Sequence, residues 1–285
     1  MAGLGRTVLA RQRMSRLWGL GDRVAPSAHT PGLVVTDDAI DVKWAPFTTL
    51  SDGGIPRAIK LISRAPFAPW ESSENGPTLQ ASIGHVLPPS LDEADAGEVA
   101  SKGEMLSISW QSLNHDEELL DPSLNPHVVI LSDALQLANR PGRLVGAIHV
   151  IKKRFPGALL WAPGIGGPDN CAVLSWFGID LFDTTRTRQA AAHGAVLTWN
   201  GPRLALEGEN SDSHWMGALA DVHSAISTNS LRELAQSQSL NSPRLVEHMR
   251  NHDKLISSSQ GILSQVVSPG SALRVHSIES HDDPV

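Results

Sequence analysis

The sequence predicts an α/β protein built on a parallel sheet, and three observations carry that expectation. Between residues 126 and 194, strand-like runs alternate with helix-like ones, which is the βαβ order of a parallel sheet with helices outside. The strand-like runs are continuously apolar, as strands covered on both faces are. Each also ends on polar or glycine residues: Ser132-Asp133 after "VVIL", the "GIGG" turn at 164–167 after "LLWAP", and Asp183 after "IDLF".

The first 35 residues are Arg-rich and then broken by Pro and Gly, until "HTPGLVV" offers Val34 and Val35 as an entry strand. Short apolar runs at 58–62, 79–87 and 105–110 read as short strands joined by long loops, and 88–103 reads as an exposed acidic loop. "HVVILSDA" is the first buried strand. A helix follows, with Pro141 in its first turn and Leu144, Ile148, Ile151 and Phe155 at i, i+4, i+7 and i+11. Lys152, Lys153 and Arg154 fall in its last turn, where cations oppose the dipole, and are expected to be solvated. Pro156-Gly157 ends it, and "ALLWAPG" (158–164) is the next strand.

Pro168 and Asp169 open another helix, which Gly178 stops. "IDLFD" (179–183) is the third strand, with Ile179, Leu181 and Asp183 on one side and Asp180 and Phe182 on the other. Asp180 is expected to bond neighbouring backbone. A helix over 184–193 and a hairpin come next, the hairpin turning at Asn200-Gly201 in a type I′ turn. No internal repeat is visible.

Composition narrows the function classes. The 285 residues, 41% hydrophobic and 19% charged, describe an ordinary globular chain with one large domain, or a medium one with appendages. No apolar run approaches the ~18 residues of a membrane span. Arg6, Arg11, Arg13 and Arg16 interrupt the apolar start, so no signal peptide and a cytoplasmic location are expected. A formal charge of −7 argues against coating nucleic acid by bulk electrostatics, while a local basic groove stays open. Cys171, the single thiol, sits in an apolar helical stretch and reads as a small buried hydrophobe. His248 and His252, at i and i+4 on a helix, read as an exposed polar face rather than a metal site.

In parallel α/β folds the reacting groups project from the C-terminal ends of strands, which makes Asp183 the foremost candidate, at the mouth. Here the sequence resembles a known family. "LLWAPGIGGPDNCAVLSWFGIDLFDTTRTRQAAAHGAVLTWNG" looks like the tRNA-guanine transglycosylase superfamily, whose strand motif G-[IV]-D-[ML]-F-D ends on the aspartate nucleophile. With "VVILSDALQL" upstream, it is similar to the N-terminal transglycosylase-like domain of archaeosine synthases. The segment "NSLRELAQSQSLNSPRLVEHMRNHD" (229–253) resembles the helices that end that domain, and "RMSRLWGL…HTPGLV" its opening strand pair.

The resemblance implies a TIM-like (β/α)8 barrel, irregular or incomplete, with a short C-terminal helical segment. The barrel would span 1–212, the helical segment 213–262 and a disordered or extended tail 263–285. It implies that Asp183 attacks the ribose C1′, expels guanine and holds a covalent ribosyl intermediate until a 7-deazaguanine base (preQ0 or a relative) accepts it. Gly164, Gly166 and Gly167 would lie over the base, and Arg186 and Arg188 would hold the tRNA backbone. No D-[ST]-G motif supplies a second acid in 36–123; by position Asp133 is the substitute. The family's C-x-C-x-x-C zinc site, PC…KPY segment and PUA domain have no counterpart, so no metal or cofactor is expected. A separate catalytic or PUA-containing subunit, in a homo- or hetero-oligomer, completes the expectation, with a catalytically silent scaffold presenting tRNA to an active partner as its alternative.

Overall fold

The computed structural model describes residues 5–36, 39–51, 58–64, 78–80, 105–121, 123–140 and 142–258. The chain opens with an antiparallel three-stranded sheet, β1 (Arg6–Gln12), β2 (Ser15–Gly21) and β3 (Pro26–Thr30). Eight further strands form the main sheet: β4 (Gly32–Val35), β5 (Phe47–Ser51), β6 (Ala58–Ser63), β7 (Thr78–Gln80), β8 (Met105–Ile108), β9 (Val128–Leu131), β10 (Leu159–Trp161) and β11 (Leu181–Asp183). Their spatial order is β7-β6-β5-β4-β11-β10-β9-β8.

From β5 through β4 and β11 to β8 every neighbouring pair is parallel, whereas β6 and β7 join by antiparallel steps. The result is a curled, parallel-rich sheet. The edge strands β7 and β8 come within 8 Å of each other at their Cα atoms, but no ladder joins them among the described residues. The described residues thus form a mixed, curled half-barrel and do not show a complete (β/α)8 barrel. The acidic 88–103 loop and the 263–285 tail lie outside the described residues.

Alternation along the strands explains the unbroken apolar runs. Val34, Phe47, Val128, Ile130, Leu159, Trp161 and Leu181 turn to the concave side, where Trp18, Leu20 and Ala28 of the N-terminal sheet cover them. Leu33, Val35, Val129, Leu131, Leu160 and Phe182 turn outward into a core shared with the helices. Both faces are dry, so polar alternation would have been costly. Ile179 precedes the observed strand and packs with the outer core, so the expected alternation holds only from Leu181 onward.

The helices are α1 (Trp110–His115), α2 (Ala134–Ala138), α3 (Arg143–Arg154), α4 (Cys171–Trp176), α5 (Thr185–Ala192), α6 (Asp212–Ser227), α7 (Leu231–Ser239) and α8 (Pro243–Ser258). None is long and apolar enough to cross a membrane. All six residues of α4 are buried against α6 and α7, and Cys171 is one of them; burial pushes its thiol up, away from thiolate chemistry. The hairpin β12 (Ala195–Thr198) and β13 (Gly201–Leu204) forms as expected, but its turn is shifted. Thr198 pairs with Gly201, which leaves Trp199 and Asn200 in the loop; the positive φ falls on Gly201 at 105° and not on Asn200, so this is not a type I′ turn.

Two expectations about polar side chains fail. Lys152 is buried, not solvated: its Nζ donates to Asp180 Oδ2 at 2.5 Å, and both side chains are almost fully enclosed. The helix supplies the reason, because Leu144, Ile148 and Lys152 form one i, i+4, i+8 row on its inner face. His248 and His252 are likewise buried, at 2% and 1% exposure. Leu245, Met249, His252 and Ile256 fall at i, i+4, i+7 and i+11, so His252 occupies an apolar stripe. Its ring lies 4.8 Å from Phe177 and 5.9 Å from Trp176, and neither nitrogen finds a hydrogen-bond partner among the described residues.

Two predictions follow from these buried groups. Burial first, and then His149, Arg232 and Arg13, lower the His252 pKa to about 3. Because that lies below the unfolded value of about 6.5, the unfolded chain binds protons first and stability is lost as pH falls from about 6.5 toward 3; roughly 2 kcal/mol goes between pH 7 and 5. Chemical denaturation at both pH values should show His252→Phe removing that share of the decline, and an unchanged slope would refute the assignment. For the ion pair, Asp180→Asn should cost ~3–5 kcal/mol and Lys152→Met at most about half as much, since only the first leaves buried cations without a carboxylate. Urea midpoints in the reverse order would show that Lys152, not Asp180, is the indispensable partner.

Candidate functional site

The parallel strands bring their C-terminal ends to one rim, and Asp183 stands there as the last residue of β11. It follows Leu181 on the concave side, as strand alternation requires. Asp183 Oδ2 accepts the Gly164 N–H at 2.7 Å and Oδ1 accepts the Thr185 N–H at 2.9 Å, with 5% of the residue exposed. The first bond ties the end of β11 to the glycine turn. The second fixes the start of α5.

The turn itself is closely filled. Gly164 has φ 75°, a conformation that glycine adopts without strain. A Cβ on Gly166 would stand 2.6 Å from Phe182 Cδ1, and one on Gly167 would stand 2.3 Å from Asp169 Oδ1 and 2.6 Å from Arg186 Nη1. Asn170 closes the loop on itself, accepting from Gly167 N at 2.8 Å and donating to Ile165 O at 2.9 Å. Residues 161–170 are all buried. The glycines are thus demanded by the protein's own side chains.

The two arginines part company. Arg186 is held by Asp169 in a two-bond fork, Nη1 to Oδ1 and Nη2 to Oδ2, both 2.8 Å. Such a planar pairing uses the geometry that a phosphate would otherwise occupy. Arg188 is exposed, one helical turn beyond Thr184. It lines an open groove of about 290 Å³ with Ile40, Thr184, Thr187, Ala191 and Asp212.

Asp133 sits at the end of β9, two strands from Asp183, and is 7% exposed. Its Oδ2 accepts the Trp110 N–H at 2.9 Å, at the start of α1. Because α1 follows β8, this carboxylate turns toward the β8 edge and away from β11. Asp180, at the other end of β11, accepts the Leu160 N–H at 2.8 Å, the backbone contact expected of it, in addition to Lys152.

Sequence reasoning missed Gln238. This α7 side chain reaches the buried start of α4, accepting from Ala172 N at 2.7 Å and donating to Pro168 O at 2.7 Å. A long-range cap of this kind leaves no local spacing to read, although a Gln on the inner side of a short helix is a faint signal. Among the described residues no group of three or more His, Cys, Asp or Glu is placed to hold a metal ion.

No protein-family model matches the chain, and no curated protein matches it.

The filled turn makes a direct prediction. Gly167→Ala should break the Arg186–Asp169 fork and cost ~1–3 kcal/mol, the usual range for overpacking a dense site. A midpoint within error of the parent protein in urea would show that the turn has slack it does not display.

Proposed function

We propose that this chain is a tRNA-modification protein of the tRNA-guanine transglycosylase type. It acts in archaeosine (7-deazaguanine) biosynthesis beside a separate subunit that carries RNA-binding and zinc parts. The observation that carries the reading is the Asp183–Gly164 bond, which joins the two halves of the family-like motif at the C-terminal rim of parallel strands. A carboxylate that accepts two backbone N–H groups is held in one orientation, as a nucleophile toward C1′ must be. In this reaction Asp183 Oδ bonds to C1′ as the C1′–N9 bond of guanine breaks; a 7-deazaguanine then attacks C1′ and frees the aspartate. Arg188, beside the groove next to Thr184, is the cation set to meet a phosphate.

A specific arrangement favours the second reading, a catalytically silent subunit that presents tRNA to an active partner. Strands β9 and β11 lie two spacings apart, on the order of 10 Å, whereas double displacement at a sugar uses carboxyls about 5–5.5 Å apart. Asp133 moreover directs its carboxylate to the Trp110 N–H, so this acid is not placed opposite Asp183 to manage the leaving group's proton. In that case Asp183 works as the latch of the rim.

One experiment separates them. The chain, with its partner subunit, is incubated with tRNA and a preQ0-type base and run on a denaturing gel. The catalytic reading expects a protein–RNA adduct that Asp183→Asn abolishes, at a rate loss of at least about 10³-fold. The silent reading expects no adduct, tRNA retained in native gels, and cellular modification unaffected by the variant. Absence of both an adduct and tRNA binding would remove the RNA-modification reading altogether.

A further inference from the structure

The opposite end of the sheet holds a charge imbalance that the proposed function does not use. Where β9, β10 and β11 begin, Arg6, Arg16 and Lys152 gather around one carboxylate, Asp180. Lys152 Nζ bonds Asp180 at 2.5 Å and reaches Ala158 O at 3.3 Å. Arg16, 3% exposed, donates from Nη1 to Pro156 O at 2.9 Å, and Arg6 donates from Nη1 to His127 O at 3.0 Å. Both guanidiniums stand over the Trp18 ring, at 5.7 Å for Arg6 and 5.8 Å for Arg16.

Buried charges are ordinarily paired one for one, and buried donors ordinarily find an acceptor. Here, among the described residues, three cations face one anion. Two donors are also left over: Arg16 Nε and the Trp18 indole N–H are buried with no hydrogen-bond partner among the described residues. Burial disfavours the charged form of all three cations; Arg16 adds to that cost for Arg6, Arg11 adds to it for Arg16, and Arg16 and Arg6 add to it for Lys152. Arg6 is only half-buried, so the cluster meets solvent along that side chain.

We propose that this cluster is an oxyanion site, in which Arg6 and Arg16 bind a phosphate-sized group between the N-terminal sheet and the entry ends of the parallel strands. A tetrahedral oxyanion offers acceptors to the unused guanidinium and indole donors and cancels the surplus charge. The site lies at the far end of β11 from Asp183, so it stands or falls independently of the reading above.

The test is a melting series on the full chain in inorganic phosphate, sulfate and chloride at matched ionic strength. Phosphate and sulfate should raise Tm saturably, on the order of 5 °C above chloride at about a hundredfold the half-saturating concentration. Arg16→Gln should abolish the rise. Should that variant not fold, Arg6→Gln, at the half-buried arm, should raise the half-saturating concentration at least about tenfold. A nucleoside monophosphate in parallel identifies the source: protection at lower concentration than inorganic phosphate means that the oxyanion belongs to a nucleotide, and equal protection means a free ion. Identical melting in all salts, or a phosphate response untouched in Arg6→Gln, overturns the site.

Discussion

Strand β11 is held at both ends by its own carboxylates, and the rest of the structure is arranged around that constraint. Its ladder to β10 comprises a single residue pair, Trp161 opposite Leu181. Asp180 extends the attachment before that pair by taking the Leu160 N–H, and Asp183 extends it afterwards by taking the Gly164 N–H. Two acids on an apolar strand thus replace ladder bonds that a three-residue strand is too short to make. Each carboxylate bond to a backbone N–H is charge-assisted and stronger than the neutral bond it substitutes. The arrangement also explains why the turn after β10 can be irregular and glycine-rich without coming loose.

Arg186, the first cation that follows in sequence, plays a different part from the one its proximity suggests. Arg186 returns to Asp169 and pins the turn against the first helical residues of α5, so the acid of one loop and the base of the next close a circuit around Gly167. Asp180, by contrast, finds its cation on α3, 28 residues earlier. Both ion pairs are partly or fully desolvated, where a missing partner costs far more than an intact pair contributes. Such pairs fix geometry more than they add stability, and here they fix the two ends of the strand that carries the candidate nucleophile.

The curled sheet separates its chemistry by end. At the C-terminal rim Asp183 is held by two backbone N–H groups, next to Thr184 of an open groove. At the entry ends the excess is positive and lies under the N-terminal sheet, whose Trp18, Leu20 and Ala28 also seal the concave core. The N-terminal sheet therefore both closes the apolar interior and supplies two of the three cations. The strand it feeds, β4, pairs directly with β11, so the opening of the chain and the candidate site are mechanically continuous.

Most elements of 126–204 were legible in the sequence because they obey local rules: apolar runs of strand length, apolar residues at helical spacing, and Pro or Gly at the boundaries; the short α2 was not read there. Asp183 was legible for the same reason, as a polar residue ending such a run. The expectation of an irregular or incomplete barrel was met in part: the sheet curls and runs parallel from β5 to β8, whereas strand direction in β6 and β7 is set by pairing across the sheet and not by local pattern. The histidines show the limit most plainly. A stripe of Leu245, Met249 and Ile256 marked the inner face of α8, but only its packing on Phe177 and Trp176 decided that His252 belongs to that face. By itself the sequence determined which segments become strands and helices, since those depend on near neighbours. Tertiary structure alone decided the partners of Lys152, Asp180, Arg186 and Gln238, because each bond joins residues 17 to 70 positions apart, brought together by burial.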